Sequence, residues 1–252
     1  MSFAIQQIAQ DKRFKLTEKM KIITISDSPM APSGVGTQTN YMIQSLLKTG
    51  KYSFISIGGA IKHQSYNPIK TEEWGDDWVI LPTDGYGTPE QIRSLVRSER
   101  VDALWFMTDP RFFGWLWEIE DEIRPLCPMV YYHVWDNYPY PKFNEPLYSS
   151  TDVVVSISKV TDDIVRNVSP QVECVHIPHA VPDDIFKPFD QDIIDSLRKD
   201  NLGDEADKFI CFWNNRNARR KQSGTLIHWW KKFLDKVGHD KAKLIMHTDV
   251  KD

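Results

Sequence analysis

Short apolar runs alternate with amphipathic segments along most of the chain. Runs rich in Val, Ile and Leu are typical of buried strands, and apolar positions three or four residues apart are typical of helices. The predicted strands of the first part of the chain are 21–26, 52–57, 78–81, 101–107, 129–134, 152–157 and 172–177. The predicted helices are 37–48, 89–99, 112–123 and 159–167, and the segment 27–36 is predicted to be a loop.

This alternation predicts the fold class. Strands that are apolar on both faces and separated by helices form a parallel sheet with helices on both sides. We therefore predict a doubly wound α/β domain over residues 21–181, preceded by an N-terminal arm, 1–20.

A segment containing three prolines interrupts the alternation between residues 178 and 188. We predict an interdomain linker at 182–189 and a partial second α/β domain at 190–252. Its predicted helices are 190–201 and 225–237, and its predicted strands are 209–213 and 242–247. Two strands and two helices cannot cover both faces of their own sheet. We therefore expect the chain to be a piece of a longer polypeptide.

Composition narrows the class of protein. The 252 residues carry 31 basic and 35 acidic side chains, and the net charge of −4 does not favour non-specific binding of nucleic acid. The three cysteines, Cys127, Cys174 and Cys211, form no paired motif, and no apolar stretch is long enough for a transmembrane segment. These features predict a soluble, cytoplasmic protein.

The first candidate site is the predicted loop after the first strand, which contains Gly34 and Gly36. Glycines allow the backbone to approach a ligand, and amides at the start of the next helix can hold an anion. The loop has neither the third glycine of a dinucleotide fingerprint nor the Gly-Lys-Ser/Thr of a P-loop. A ligand-binding loop and an ordinary tight turn both remain open.

The second candidate site contains His133 and Asp136, where a predicted strand runs into an aromatic loop. An imidazole and a carboxylate three residues apart could orient a hydroxyl group or polarise a leaving group. The alternative interpretation is a buried histidine beneath a proline-rich corner.

The third candidate site is a basic loop after the strand 209–213, with Arg216, Arg219, Arg220 and Lys221. The guanidinium fork and the lysine point charge both suit a diphosphate. A solvated basic loop and a nucleic-acid patch are the alternatives.

Four segments in the same order and at similar intervals resemble the retaining glycosyltransferases of family 4. The resemblance covers about residues 21–248. Residues 33–37 (SGVGT) resemble the family's Gly-Gly-Val-Gly loop, and 150–158 (STDVVVSIS) are similar to one of its strands. Residues 176–188 (HIPHAVPDDIFKP) resemble its interdomain signature, and 212–221 (FWNNRNARRK) resemble its donor-phosphate segment. The resemblance implies the GT-B fold, a doubly wound Rossmann-like domain followed by a second one, which begins in this chain.

The resemblance also implies a reaction. A nucleotide diphosphate sugar would donate its sugar to an acceptor hydroxyl with retention of configuration, with no required metal and no other cofactor. Arg216 and Lys221 would neutralise the donor diphosphate as it leaves. Gly34 and Gly36 would place backbone amides near phosphates in the interdomain cleft.

On the acceptor side, the resemblance places His133 beside the transferred sugar and the acceptor, and Asp136 in contact with the acceptor. The chain departs from the family's pattern at Asn215 and Gln222, where the family has glycine. The family's acidic E-x7-E element is expected to lie beyond Asp252.

Two other functions stay open at this point. The chain could be a non-catalytic nucleotide-binding module or subunit of the same fold. It could also be a glycosyltransferase that acts on modified bases in DNA, which would give the basic loop a second use. The sequence does not identify the sugar, the base or the acceptor, which is a glycan, a lipid, a small molecule or modified DNA.

Overall fold

The computed structural model describes residues 19–250, so the predicted N-terminal arm lies outside the described residues except for its last two. The described chain forms two compact units, unit 1 up to Ile185 and unit 2 from Phe186. The boundary lies within the segment predicted to be a linker, 182–189.

Unit 1 is built on one sheet of eight strands. In chain order they are β1 (Met20–Asp27), β2 (Tyr52–Gly59), β3 (Ile69–Lys70), β4 (Trp78–Pro82), β5 (Ala103–Met107), β6 (Met129–His133), β7 (Val153–Ser156) and β8 (Glu173–His176). Their order across the sheet is β3-β4-β2-β1-β5-β6-β7-β8. Neighbouring strands pair in parallel except for β3, which pairs with β4 in the antiparallel sense.

The helices of unit 1 occupy the connections between these strands. They are α1 (Gly34–Leu47), α2 (Pro89–Ser98), α3 (Gly114–Trp117), α4 (Glu120–Ile123), α5 (Glu145–Ser149) and α6 (Lys159–Val168). Ser158 caps the first turn of α6 by accepting a hydrogen bond from the Thr161 amide, and Thr88 caps α2 in the same way. Such caps satisfy amides that have no partner inside the helix, which explains where these two helices begin.

The core lies on both faces of the sheet. On one face Ile43 of α1 packs in a cluster with Phe54 and Ile80. On the other, Ile92 of α2 packs in a cluster that contains Phe106. Helices on both faces and a mostly parallel sheet confirm the prediction of a doubly wound α/β fold.

The connection between β5 and β6 differs from its prediction. A single helix is expected at 112–123, but the structure has a 3-10 turn at Pro110–Phe112 and the two short helices α3 and α4. Phe113 and Ile119, which precede these helices, have ψ angles of 10° and 17° and leave the helical conformation. Both side chains are buried in the core, so tertiary packing overrides the helical pattern here.

Unit 2 contains two parallel strands, β9 (Phe209–Asn214) and β10 (Ala242–His247), and two helices, α7 (Gln191–Leu202) and α8 (Ser223–Val237). These elements correspond to the four predicted there: the strand 242–247 has the predicted bounds, and the other three differ by one or two residues at a start or an end. Among its described residues only Ala242 is buried.

Candidate functional site

The strand order of unit 1 identifies the edge where a ligand is expected. From β1 the chain builds outward to β2 and β4, and it then returns to place β5 on the other side of β1. The carboxyl ends of β1 and β5 therefore flank a topological switch point, where open α/β sheets bind ligands. Asp27 ends β1, Met107 ends β5 and His133 ends the next strand, β6.

The glycines predicted to lie in the loop after β1 belong to the first turn of α1, which corrects the predicted start of that helix at residue 37. The helix begins at Gly34 because Ser33 caps it, and the Ser33 hydroxyl accepts a hydrogen bond of 3.0 Å from the Gly36 amide. A Cβ atom at Gly36 would lie 2.6 Å from the Ser28 carbonyl oxygen, whereas Gly34 has open space around that position. Gly36 is thus required by the close approach of the preceding loop.

Asp27 holds this turn in place. Its carboxylate is almost fully buried and accepts hydrogen bonds from the Ser33 hydroxyl, at 2.5 Å, and from the Tyr86 hydroxyl, at 2.8 Å. Burial, and then the hydrogen bond to Asp27, raise the pKa of Tyr86 well above its ordinary value. Tyr86 therefore stays protonated and acts as a hydrogen-bond donor to the carboxylate.

His133 is fully buried at the end of β6. Its Nε2 atom lies 2.7 Å from the Tyr148 hydroxyl, and its Nδ1 atom is buried without a hydrogen-bond partner in the described part of the chain. Burial lowers the pKa of His133 to about 3, and the charge of Asp109 opposes this shift only in part. The imidazole is neutral at physiological pH and is held in one position.

Asp136, three residues further on, is exposed. It lies in the loop between β6 and the 3-10 turn Lys142–Asn144. The two predicted residues of this site therefore have different environments: the His133 imidazole lies inside the core, and the Asp136 carboxylate lies at the surface.

Thr108 and Asp109 belong to the same edge and were missed by the sequence analysis. Thr108 has a φ angle of 150°, a conformation that β-branched residues rarely adopt, and its carbonyl accepts a hydrogen bond from Tyr131. Strain of this kind, of about 1–3 kcal/mol, is concentrated at functional sites. Burial acts to raise the pKa of Asp109, but hydrogen bonds from Arg111 outweigh it and the pKa is lowered. An Asp-Pro pair two residues after the end of a buried strand was the available signal.

The third candidate site lies in unit 2, where β9 leads into α8. The intervening segment contains a 3-10 turn, Arg219–Lys221, and Gln222 takes a left-handed conformation with φ of 57° just before the helix. Arg216, Arg219 and Arg220 are exposed, and Lys221 is partly exposed. Four cationic side chains thus lie within six residues at the carboxyl end of a parallel strand.

An open depression of about 510 Å³ lies at the start of α8. It is lined by Asn217, Ala218, Arg219, Gln222, Ser223, Gly224 and Thr225. The Ser223 hydroxyl donates to the Asn217 side chain at 2.6 Å, and the Thr225 hydroxyl donates to the Gln222 side chain at 2.9 Å. The first amides of a helix and its dipole favour an anion, and Arg219 in the lining reinforces that preference. Arg216, Arg220 and Lys221 do not belong to the lining.

The described residues hold neither a group of metal ligands nor a membrane-spanning helix. Within residues 19–250, no three His, Cys, Asp or Glu side chains come together as a group that could hold a metal ion. None of the helices in that range is long and apolar enough to cross a membrane.

Solved structures share this fold. A glycosyltransferase from Rickettsia africae aligns with a TM-score of 0.60 and 11% identity, over 92% of this chain and 69% of that one. HepE from Anabaena, solved in complex with UDP and glucose, aligns with a TM-score of 0.56 and 13% identity, over 90% and 69%. The UDP-forming α,α-trehalose-phosphate synthase from Burkholderia vietnamiensis aligns with a TM-score of 0.56 and 9% identity, over 92% and 64%.

These likenesses show the fold, which is the Rossmann-like α/β fold of the glycosyltransferases. The chain spans about two thirds of the length of the structures it matches. No protein-family model and no curated protein sequence matches it.

Proposed function

We propose that the protein is a retaining glycosyltransferase of family 4, which transfers a sugar from a nucleotide diphosphate sugar to an acceptor hydroxyl. The fold that it shares with glycosyltransferases supports this proposal. The observation that carries it is the basic segment of unit 2, where four cationic residues lie within six positions between the carboxyl end of β9 and the first turn of α8.

The chemistry of sugar transfer needs such a segment. Negative charge develops on the diphosphate as the sugar leaves it, and donors that are already in position stabilise that charge most effectively. In the proposal Arg216 binds the diphosphate through its guanidinium fork and Lys221 binds it as a point charge. The amides of the first turn of α8 add to them. The proposal includes no required metal and no other cofactor.

Unit 1 contributes residues for the acceptor and, through α1, for phosphate groups in this proposal. In the proposal His133 lies beside the transferred sugar and the acceptor. Its imidazole is fully buried, so it orders this edge of the sheet and does not touch them directly, and Nδ1 is the ring nitrogen that lacks a partner among the described residues. Its pKa of about 3 keeps it neutral, so it acts as a hydrogen-bonding group and not as a charge. Asp136 contacts the acceptor from the surface loop. Gly34 and Gly36 shape the first turn of α1, whose amides face phosphates in the proposal.

The partners named by the proposal are a nucleotide sugar and a hydroxylated acceptor, met in the cytoplasm. HepE was solved in complex with UDP, and the synthase from Burkholderia vietnamiensis is named as UDP-forming. UDP is therefore the first nucleotide to test.

Calorimetric titration of the protein with UDP, GDP and ADP tests the proposal. We expect one nucleotide to bind and the Lys221→Ala substitution to weaken its binding about tenfold or more, the effect of losing one charge-assisted hydrogen bond. Lys236→Ala is the matched control because it removes the same charge at the opposite end of α8. It should leave the affinity unchanged.

The outcomes separate the alternatives. Binding that is lost in both lysine variants, or in neither, contradicts the assigned diphosphate site. Tight binding of the nucleotide with neither hydrolysis nor transfer of its sugar conjugate favours a nucleotide-binding module. Salt-sensitive binding to duplex DNA, reduced by Lys221→Ala, favours a transferase that acts on DNA bases.

A further inference from the structure

Unit 1 exposes a group of aromatic rings in the loop that follows β6. Tyr138 is 54% exposed, Tyr140 is 40% exposed and Phe143 is 71% exposed. Large aromatic side chains normally contribute to a core, because each of them buries a large apolar area. Three exposed rings within six residues, beside the strand that ends at His133, therefore need an explanation.

The two tyrosine side chains are both hydrogen-bonded to one carboxylate. The hydroxyls of Tyr138 and Tyr140 both donate to the same oxygen of Asp163, at 3.0 Å and 2.9 Å. The two rings meet at 73° with their centroids 5.4 Å apart. The other Asp163 oxygen accepts a hydrogen bond from the Asn167 side chain at 3.1 Å. One carboxylate on α6 thus fixes both tyrosines.

The base of the loop is fixed as well. The Trp135 carbonyl accepts a hydrogen bond of 2.8 Å from Thr161 on α6, and the Trp135 ring meets Phe143 edge-on at 5.8 Å. A surface that is already ordered loses little conformational entropy when a ligand binds to it, and this is a property of binding sites.

The size and polarity of the surface define the ligand. At their observed exposure the three rings present about 300 Å², less than half of the ~800 Å² that each partner contributes to a standard protein interface. This area suits one or two sugar rings. The C–H groups of a pyranose carry partial positive charge and pack on the negative face of an aromatic ring. The carboxylates of Asp136 and Asp163 can accept hydrogen bonds from sugar hydroxyls.

We propose that Tyr138, Tyr140 and Phe143, with Asp163 as their anchor, form a saccharide-binding subsite, and that the acceptor is therefore a carbohydrate. This inference rests on the proposed function and deepens it, because it names the acceptor class that the function leaves open. The subsite lies on a different unit from the proposed diphosphate site, so the two can be tested separately.

The experiment exposes the labelled full chain to an array of immobilised mono- and oligosaccharides, and then titrates the best ligand in solution. We expect the double substitution Tyr138→Ala/Tyr140→Ala to weaken saccharide binding about tenfold or more. Tyr66→Ala is the matched control, because Tyr66 is also exposed and also donates to a carboxylate, that of Asp84 at 2.8 Å. It should bind like the unsubstituted protein.

Every outcome decides for or against the subsite. Failure of the unsubstituted chain to bind any saccharide overturns the subsite. Equal saccharide binding by Tyr138→Ala/Tyr140→Ala and by Tyr66→Ala overturns it as well. Binding of tetramethylammonium, a cation that aromatic rings can hold, without binding of any sugar also overturns it. Tyr138→Phe, which keeps the ring and loses its hydrogen bond, should retain more saccharide binding than the double variant.

UDP affinity should be the same in all these proteins. If UDP binds and no saccharide does, only the subsite is wrong; if saccharides bind and no nucleotide does, the proposed function is wrong.

Discussion

Unit 1 and unit 2 have the same layered α/β design, yet they differ in how they bury apolar side chains. In unit 1 bulky residues such as Phe106 and Tyr131 are fully buried. In unit 2 Phe209, Phe212 and Trp229 are each 60% exposed or more, and Ala242 is the only buried residue in its described part. Unit 1 surrounds its candidate site with a packed core, whereas unit 2 presents its basic segment on elements with little core of their own.

The difference shows two ways of positioning polar groups. In unit 1 burial sets the ionisation of polar groups, since it lowers the pKa of His133 and raises the pKa of Tyr86. In unit 2 the charged side chains of the basic segment keep their contact with water. Their place between a strand end and a helix N-terminus is what favours an anion there. Substitutions in unit 1 should therefore change stability first, and those in unit 2 should change binding first.

Two phenylalanine substitutions, one in each unit, test this contrast most strongly. Phe106→Ala should lower the free energy of unfolding by about 3–5 kcal/mol, because it leaves a cavity among buried rings. Phe212→Ala in unit 2 should lower it by less than about 1 kcal/mol, since that side chain is 64% exposed. Chemical denaturation followed by circular dichroism measures both. Equal losses would show that the burial difference between the units has no energetic meaning.

A second pair of substitutions asks whether the tight packing of unit 1 reaches its candidate site. Gly36→Ala should cost about 2–3 kcal/mol, because the new Cβ meets the backbone oxygens of Ser28 and Ala31. Gly34→Ala, with open space around it, should change stability by less than about 0.5 kcal/mol. Thermal unfolding of the two variants is the measurement, and a Gly36→Ala protein as stable as the parent would contradict the packing described here.

The pH dependence of stability tests the burial of His133. The folded pKa of His133, about 3, lies below the ordinary histidine value of 6.5, so the unfolded chain binds the proton first as the pH falls. The stability conferred by the neutral form is complete above that unfolded value and is lost as the pH falls towards 3. Between pH 6.5 and about pH 4.5 the loss should reach roughly 2 kcal/mol.

His133→Asn should remove this part of the pH dependence of the unfolding free energy. His228→Asn, at an exposed position of unit 2, is the control and should keep it. The same slope in the His133 variant and the parent protein would mean that His133 is not buried as described.

The sequence was a good guide where one physical rule dominates. Strands of a parallel sheet are apolar throughout, and the predicted strand 242–247 coincides with β10. Rules failed where distant contacts decide. The buried Phe113 and Ile119 break a helix that the local pattern favours, and β3, with two residues, is too short to leave a pattern.

The candidate site was predictable in position but not in environment. His133 lies at the end of a strand, as its place in the sequence indicates. Its imidazole is covered by Tyr148, which lies fifteen residues later in the short helix α5. The sequence pattern did not predict that helix. Likewise, the cap at Ser33 moves the start of α1 ahead of its first apolar positions.

The most direct test of the account is a nuclear magnetic resonance titration of the isotope-labelled protein with UDP, in which each backbone amide reports on its own surroundings. We expect the largest shifts on Ser223, Gly224 and Thr225 at the start of α8, and we expect Lys221→Ala to reduce them at a UDP concentration near the dissociation constant of the unsubstituted protein. The amides of Tyr138 and Asp163 should not move. Shifts confined to unit 1, or no shift at saturating UDP, would contradict the assignment of the diphosphate to unit 2.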